Sequence, residues 1–281
     1  MNTNLIDFTI GADPEFACSQ HGRIISAEDY VEVGDGEGFG ADGNHVTFEL
    51  RPAPSNNPLE IVNNIRNIFI QQVIKQPKFL DFTWVSGSWY KGYALGGHVH
   101  FGLSNSQINQ CDAVKILDSY VGSLCLLIEK KVDAQKRRRT RYGCMGDMRI
   151  QDWGFEYRPM SSWLSSPYVA AAMLCLSKAV MYEIMNNSEF QWNTYVTPSD
   201  FQKVDQDRLR KEFPKIWKDI TKLHLYQAYK PYIDLIYFMI KNKLTWLPKT
   251  DMKQCWGIMD MKQLLSSKIG VNVLWNRYNI E

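Results

Sequence analysis

The stretch Gly96-Gly97-His98-Val99-His100-Phe101-Gly102 is a short β-type run with glycines at both ends. Residues two apart on a strand point to the same face, so this run predicts His98 and His100 on one face and Val99 and Phe101 on the other. Neutral imidazole is the commonest metal ligand among side chains. Two imidazoles side by side on a strand predict a binding site. A half-exposed strand with two solvated histidines is the alternative that this run leaves open.

Acidic residues with the same spacing precede this run. Asp13 and Glu15 flank a proline after a predicted strand over residues 5–10, so both carboxylates can face one side; a polar turn is the alternative. Polar and apolar side chains alternate over residues 45–51, which is typical of a half-buried strand. Its polar face carries Glu49 and Arg51, which an exposed cross-strand salt bridge would also explain.

The motif Phe48-Glu49-Leu50-Arg51-Pro52 is echoed by Phe155-Glu156-Tyr157-Arg158-Pro159. In both motifs a glutamate and an arginine lie two apart in a predicted strand that ends at a proline. This recurrence predicts two strands of one sheet that present Glu and Arg to the same place.

A basic segment over residues 136–149 contains Arg139, Arg141 and Arg149 among several glycines. Arginine matches phosphate oxygens with a rigid fork of donors. A solvated face and a nucleic-acid patch are the alternatives for such a run. The net charge of the 281-residue chain is only +2, so no general attraction to nucleic acid or membrane is implied. We expect neither as a partner.

The acids Asp13, Glu15, Glu49 and Glu156, together with His98, are hard oxygen ligands plus one imidazole. This set suits Mg²⁺ or Mn²⁺ better than a structural zinc, which favours thiolates. Carboxylates beside several arginines are expected where a metal–polyphosphate lies between them. The chain has no Walker A loop, Ser-His-Asp set or kinase signature. The GxGxxA match at 36–41 is followed by a predicted strand, not by the helix that a dinucleotide fingerprint needs.

Taken in order, these motifs resemble those of the carboxylate–amine ligases, the amidoligases of the glutamine synthetase and glutamate–cysteine ligase superfamily. The phage-encoded COOH–NH2 ligase type is the most similar. The resemblance covers roughly residues 5–180. It is carried by Gly11-Ala12-Asp13-Pro14-Glu15-Phe16, Phe48-Glu49-Leu50-Arg51-Pro52, Gly96-Gly97-His98-Val99-His100-Phe101-Gly102, Arg141-Tyr142-Gly143 with Gly146-Asp147-Met148-Arg149, and Phe155-Glu156-Tyr157-Arg158-Pro159.

The resemblance implies an α+β fold, in which a curved antiparallel β-sheet of the glutamine synthetase type is flanked by helices. It implies that ATP and Mg²⁺, or Mn²⁺, bind on the concave face. A carboxylate would attack the γ-phosphate, and an amine would displace phosphate from the acyl phosphate to give an amide or isopeptide bond. The substrates would be a small-molecule or peptide carboxylate and amine, which the sequence does not identify further.

The resemblance also implies roles for individual residues. The metal ligands would be Asp13, Glu15, Glu49, His98 and Glu156. The phosphates of ATP would be held by His100, Arg139, Arg141, Arg149 and Arg158. The catalytic set would be Arg158, Glu49 and His100. Asp13 departs from glutamine synthetase, which has a longer acid at this position.

We expect a single domain over residues 1–281, with a sheet-rich catalytic core over 1–165 and a mainly helical part over 166–281. The predicted helices are 58–75, 106–132, 167–186, 199–222, 227–243 and 251–268, and a final strand is predicted over 271–275. The glycines of residues 34–41 suggest a mobile flap.

We see no signal peptide and no apolar run near the ~20 residues that span a bilayer. Six cysteines without a CxxC pair are typical of reduced core residues. We therefore expect a cytoplasmic protein, in the host cytoplasm if the chain is phage-encoded. The oligomeric state cannot be predicted. Two other functions stay open from the residues: a cupin-like metal-dependent oxygenase or hydrolase, and a non-catalytic binding protein derived from a ligase.

Overall fold

A computed structural model describes residues 5–33, 38–103, 108–246 and 251–258. The strands are β1 (Thr9–Gln20), β2 (Arg23–Ile25), β3 (Gly38–Ala41), β4 (Phe48–Arg51), β5 (Thr83–Val85), β6 (Trp89–Tyr90), β7 (Tyr93–Ala94), β8 (Gly97–Gly102), β9 (Met148–Gln151) and β10 (Gly154–Tyr157). The α-helices are α1 (Pro58–Lys75), α2 (Gln110–Leu117), α3 (Ser123–Ile128), α4 (Lys131–Arg139), α5 (Pro167–Asn186), α6 (Pro198–Lys203), α7 (Gln206–Ile220), α8 (Tyr226–Lys241) and α9 (Lys253–Trp256).

One large sheet holds eight of these strands in the order β3-β4-β1-β8-β10-β9, with β2 and β5 paired to the far end of β1. Every pairing in it is antiparallel. The long strand β1 is central, since it pairs with β8 over Thr9–Pro14 and with β4 at Glu15 and Phe16. The predicted α+β fold with a large antiparallel sheet is confirmed.

Pro14 lies inside the central strand β1, although proline usually favours an edge or a bulge. The Glu15 N–H donates to the Gly96 carbonyl on the β8 side, at 2.8 Å. Because N–H groups alternate along a strand, the nitrogen of Pro14 faces the β4 side. The pairing with β4 begins only at Glu15, so no ladder hydrogen bond is lost there.

The two faces of the sheet differ in character. Val99 and Phe101 are fully buried on the apolar face, as the alternation predicts. On this side α1 packs against β1, β3 and β4. Its Phe69 ring lies 5.7 Å from that of Phe16 and 5.0 Å from that of Trp84, measured between centroids. The helices thus cover the apolar face and leave the other face of β1, β8 and β10 to polar side chains.

Helix α1 begins where the sequence predicts. Asn57 is extended, and its side chain accepts a hydrogen bond from the Leu59 N–H at 3.0 Å. Pro58 occupies the first helical position, where a missing N–H costs nothing.

Three of the predicted helices have different bounds. The helix expected over 106–132 runs through α2, a π-helical segment at Asp118–Gly122 and α3, and then stops at the extended Glu129. The buried Glu129 carboxylate pairs with Arg138 of α4 at 2.9 Å, which explains the break. The helix expected over 199–222 is divided at Val204, which has a left-handed backbone with φ of 51°. The helix expected over 251–268 is wrong within the described residues 251–258, because α9 ends at Trp256, before Gly257, which has a left-handed backbone with φ of 67°. The rest of this prediction lies outside the described residues.

The expectation that no apolar run approaches bilayer-spanning length is wrong for α5. This 20-residue helix has the length and composition of a membrane span, but 78% of its most apolar 18-residue window is buried inside the fold. Such burial is typical of the core helix of a globular domain.

The predicted flap falls partly on residues 34–37, which lie outside the described residues. Its remainder, β3, is paired with β4, so Gly38–Ala41 belong to the sheet. The strand predicted over 271–275 also lies outside the described part of the chain.

Candidate active site

The register of the sheet assembles the polar face. Asp13 of β1 pairs with His98 of β8, and Glu15 pairs with Glu49 of β4. His100 pairs with Glu156 of β10. Paired residues of an antiparallel ladder lie on the same face. Residues that are far apart in the chain therefore meet on four adjacent strands.

A cavity of about 750 Å³ lies over this face. Its lining includes Asp13, Glu49, Arg51, His98, His100, Tyr142, Arg149, Trp153, Glu156 and Arg158. Glu15 lies behind this lining and is 2% exposed. Arg139 and Arg141 are exposed and are not among the lining residues. The geometry therefore brings together most of the expected site residues, but not these two arginines.

Four buried ligand atoms converge at the centre of the cavity wall. Asp13 Oδ1 lies 3.1 Å from His98 Nδ1 and 3.2 Å from His100 Nε2. His98 Nδ1 lies 3.0 Å from Glu156 Oε1. Within the described part of the chain, none of these four atoms has a hydrogen-bond partner, since the close contacts lack hydrogen-bond alignment. Ligand atoms of Asp13, His100 and Glu156 all lie within 4.8 Å of one another, close enough to share one divalent cation.

Glu15 and His98 are joined by Tyr142, a residue to which the sequence motifs assigned no role. The Tyr142 hydroxyl donates to Glu15 Oε1 and lies 2.6 Å from His98 Nε2. The Gly96 N–H donates to the other oxygen of Glu15 at 2.8 Å. The position of Tyr142 in the Arg141-Tyr142-Gly143 motif is the sequence signal that could have found it.

The pKa values show how strongly the acids and imidazoles of this face interact. Burial raises the pKa of Glu15 to about 7. Burial and the negative charge of Asp13 raise the pKa of Glu49 to about 9. Burial disfavours a charged His98, but Asp13, Glu156 and Glu15 outweigh it and raise the pKa of His98 to about 10. Burial and neighbouring carboxylates thus disfavour the ionised forms of Glu15 and Glu49, and a bound cation would favour them.

The pKa values of the other two acids are lowered despite burial. His98 and His100 hold the pKa of Asp13 well below its ordinary range, and the neighbouring His98, 3.0 Å away, lowers the pKa of Glu156. Both carboxylates are therefore held in the ionised form that binds cations.

Arginines border the same cavity. Arg149 Nη1 lies 3.1 Å from Glu156 Oε2, and the Arg149 side chain is 55% exposed. Arg158 Nε lies 3.7 Å from Glu156 Oε1 and 3.6 Å from an oxygen of Asp147. Arg51 Nη2 donates to Glu49 Oε2 at 2.8 Å. These guanidinium groups can contact an anion that lies over the acidic cluster.

The buried arginines of the basic segment bind other groups of the protein. Arg138 is 1% exposed and pairs with the fully buried Glu129. Arg137 is fully buried and donates to the Pro159 carbonyl at 2.8 Å. The phosphate-binding roles of Arg139 and Arg141 stay predictions.

Acids, imidazoles and arginines share one face of a large antiparallel sheet, which is the arrangement expected of a carboxylate–amine ligase of the glutamine synthetase-like fold. Residues 10–258 match the family described as Phage phiEco32-like COOH.NH2 ligase-type 2. The chain belongs to this family. The predicted family and ligase class are thereby confirmed, and the cupin-like interpretation loses its support. Among curated protein sequences, none matches this chain.

The fold is shared with other solved structures, two of which illustrate the likeness. The bifunctional glutathione synthetase from Pasteurella multocida has a TM-score of 0.50 and 12% identity, over 92% of this chain and 50% of that protein. PafA, the ligase of the prokaryotic ubiquitin-like protein Pup, has a TM-score of 0.55 and 8% identity, over 98% of this chain and 70% of that protein. The chain thus spans half the length of the synthetase. At these identities the likeness establishes the fold alone.

Proposed function

We propose that this chain joins a carboxylate to an amine in an ATP- and Mg²⁺-dependent reaction, with Mn²⁺ as an alternative metal. The product is an amide or isopeptide, formed through an acyl phosphate. The observation that carries this proposal is the convergence of four buried atoms, on Asp13, His98, His100 and Glu156, beside arginines in one cavity. None of the four has a hydrogen-bond partner among the residues that the structure describes.

The residues present fit a divalent cation. Asp13, His98 and Glu156 would hold it at the centre, where His100 is also close enough to contribute, with Glu49 and the buried Glu15 as further acids of the same face. When bound, such a cation neutralises the charge of a triphosphate. Carboxylate oxygens and one imidazole are ligands that Mg²⁺ and Mn²⁺ accept.

The proposed reaction has two steps. An oxygen of the substrate carboxylate bonds to the γ-phosphorus, the bond from that phosphorus to the bridging oxygen breaks, and ADP leaves. The amine nitrogen then bonds to the acyl carbon, phosphate leaves, and the nitrogen loses a proton. Arg149 and Arg158 would hold phosphoryl oxygens as their charge shifts, with His100 beside them. Glu49, Arg158 and His100 form the proposed catalytic set.

The family and the cavity support a proposal about the substrate class. We propose a small-molecule or peptide carboxylate and amine, and a cavity of about 750 Å³ suits either. PafA, which shares the fold, acts on the protein Pup, and the synthetase makes glutathione, so both sizes of substrate are candidates. ATP as a substrate favours a cytoplasmic site of action. We also propose that the helical part belongs to one domain with the sheet, since α5 packs against α1.

The test is Mg²⁺-dependent ADP release, with hydroxylamine as the trapping nucleophile and pooled carboxylates as substrates. Wild type is compared with Asp13→Asn and Arg158→Ala. Arg23→Ala is the control, because Arg23 is exposed on β2. Hydroxamate and ADP that disappear in both site variants and persist in the control would support the ligase. Absence of ADP release, together with absence of Mg-ATP binding in calorimetry, would contradict it and favour a non-catalytic binding protein.

A further inference from the structure

Tyr142 contacts two predicted metal ligands without facing the centre of the cluster itself. Its hydroxyl donates to Glu15 Oε1 and lies 2.6 Å from His98 Nε2. The opposite ring nitrogen, His98 Nδ1, lies 3.1 Å from Asp13 Oδ1 and 3.0 Å from Glu156 Oε1. Tyr142 therefore contacts the side of the imidazole that points away from the cluster.

The single proton of the Tyr142 hydroxyl determines the direction of its hydrogen bonds with Glu15 and His98. The Tyr142 hydroxyl donates to Glu15 Oε1, and a phenol has only one proton to donate. The phenolic oxygen must then accept a hydrogen bond from His98, which places a proton on Nε2. An imidazole that gives its Nδ1 lone pair to a cation keeps its single proton on Nε2, and Nδ1 is the atom that faces Asp13 and Glu156.

The Tyr142 ring packs against a buried arginine. The guanidinium of the fully buried Arg137 lies over it, 4.5 Å from the ring centroid. Arg137 also donates to the carbonyls of Pro159 and Arg158, at 2.8 and 3.2 Å. Arg137 thus connects the Tyr142 ring to Arg158 and Pro159, which directly follow strand β10.

Glycines make room for this arrangement. A Cβ on Gly96 would lie 2.4 Å from His98 Nε2 and 2.6 Å from the Tyr142 hydroxyl. A Cβ on Gly143 would lie 1.6 Å from Arg137 Nη1, and the φ of Gly143 is +72°. The close approach of Tyr142, His98 and Arg137 is possible because both positions lack a side chain.

We propose that Tyr142 is a positioning residue that fixes the orientation and tautomer of His98, so that Nδ1 faces a divalent cation. This role rests on the metal site of the proposed function. Groups that hydrogen-bond to metal-binding histidines typically change metal affinity about 10–100-fold. Tyr142 acts through His98 and Glu15 and does not contact the cation.

The test is Mn²⁺ binding by Tyr142→Phe, followed through the loss of the free Mn²⁺ signal in electron paramagnetic resonance. Removal of the hydroxyl should raise the Kd for Mn²⁺ at least about tenfold. The matched control is Tyr195→Phe, which removes a hydroxyl that donates to Asp219 at 2.7 Å, away from the cavity. The control should bind Mn²⁺ like wild type, and both variants should keep the wild-type circular dichroism.

Equal Mn²⁺ affinity in wild type and Tyr142→Phe would overturn the role of Tyr142 and leave the metal site intact. Absence of Mn²⁺ binding by wild type would overturn the metal site and this proposal with it. Two-bond ¹H–¹⁵N spectra of wild type labelled at histidine, assigned against His98→Gln, give an independent readout if Tyr142→Phe does not fold. In the Mg²⁺-loaded protein a proton is expected on His98 Nε2 and none on Nδ1, and an unprotonated Nε2 would overturn the proposal.

Discussion

Asp13 and His98 are direct partners across the β1–β8 ladder, and Asp13 Oδ1 lies 3.1 Å from His98 Nδ1. The same oxygen lies 3.2 Å from His100 Nε2. One carboxylate oxygen is therefore shared by two imidazoles, and neither contact has hydrogen-bond alignment. Atoms arranged in this way around a common centre suit a cation better than they suit one another.

Asp13→Asn should weaken divalent metal binding. Asparagine keeps the size of the side chain but loses the charge and replaces one oxygen with a donor group. We expect the Kd for Mn²⁺ to rise about 100-fold, or ~3 kcal/mol, and ADP release to fall with it. Calorimetry with Mn²⁺ measures this directly. The exposed Asp29→Asn is the control, and an unchanged affinity in Asp13→Asn would count against the site.

Arg149→Ala should raise the KM for ATP more than Arg139→Ala does. Arg149 lines the cavity and lies 3.1 Å from Glu156, whereas Arg139 is exposed outside the lining. Loss of one guanidinium–phosphate contact is expected to cost about 10-fold or more. Initial rates over a range of ATP concentrations measure the effect. A larger KM effect in Arg139→Ala would show that ATP extends toward α4.

Glu49→Gln should stabilise the metal-free protein while it lowers activity. Burial and the charge of Asp13 raise the pKa of Glu49 to about 9, so its ionised form is unfavourable there. Glutamine keeps the acceptor for Arg51, which donates at 2.8 Å, and carries no charge. We expect the Tm to rise by about 2–4 °C for each kcal/mol gained. Thermal unfolding with Glu189→Gln as the exposed control tests this, and a lower Tm in Glu49→Gln would refute it.

Asp118→Asn should remove a pH dependence of stability. Asp118 accepts hydrogen bonds from the Tyr157 hydroxyl at 2.8 Å and the Gly146 N–H at 2.7 Å, and burial raises its pKa from 3.8 to about 7. Between these two values the folded state keeps a proton that the unfolded state releases. The contribution of Asp118 to the free energy of unfolding therefore falls as the pH rises from about 3.8 to about 7, and it is constant above about 7.

Denaturant unfolding of wild type and Asp118→Asn at about pH 5 and about pH 8 measures this contribution. We expect the variant to gain stability relative to wild type at the higher pH. The gain should be roughly 1.4 kcal/mol for each pH unit between about pH 5 and about pH 7, because only this part of the titration range lies between the two measurements. A difference between the two proteins that is the same at both pH values would contradict the assignment.

Much of the active-site face could be predicted because it depends on strand alternation. His98 and His100 had to share a face once the run was a strand, and the same holds for Glu156 and Arg158. The bounds of helices were harder to predict. Glu129 ends α3 because its carboxylate pairs with Arg138 of the next helix, and helical periodicity does not report such a pairing.

The basic run shows what local sequence could not decide. Arg137, Arg138 and Arg139 are consecutive and chemically identical, yet the first two are buried and the third is exposed. A turn of α4 directs each guanidinium differently, and Pro159 and Glu129 accept from the two that turn inward. The sequence predicted arginine chemistry here but not which arginine would reach which partner.

The sequence by itself determined the strands β8 and β10, which of their residues share a face, and the family, whereas the strand predicted over 5–10 proved to be Thr9–Gln20. These features depend on the alternation of side chains along a strand and on short motifs that can be identified without knowing the rest of the fold. The tertiary structure alone decided that Glu15 lies behind the cavity, that Tyr142 joins it to His98, and that Asp13 reaches both histidines. Distances between atoms on different strands depend on sheet register and on packing from every side, which no single segment contains.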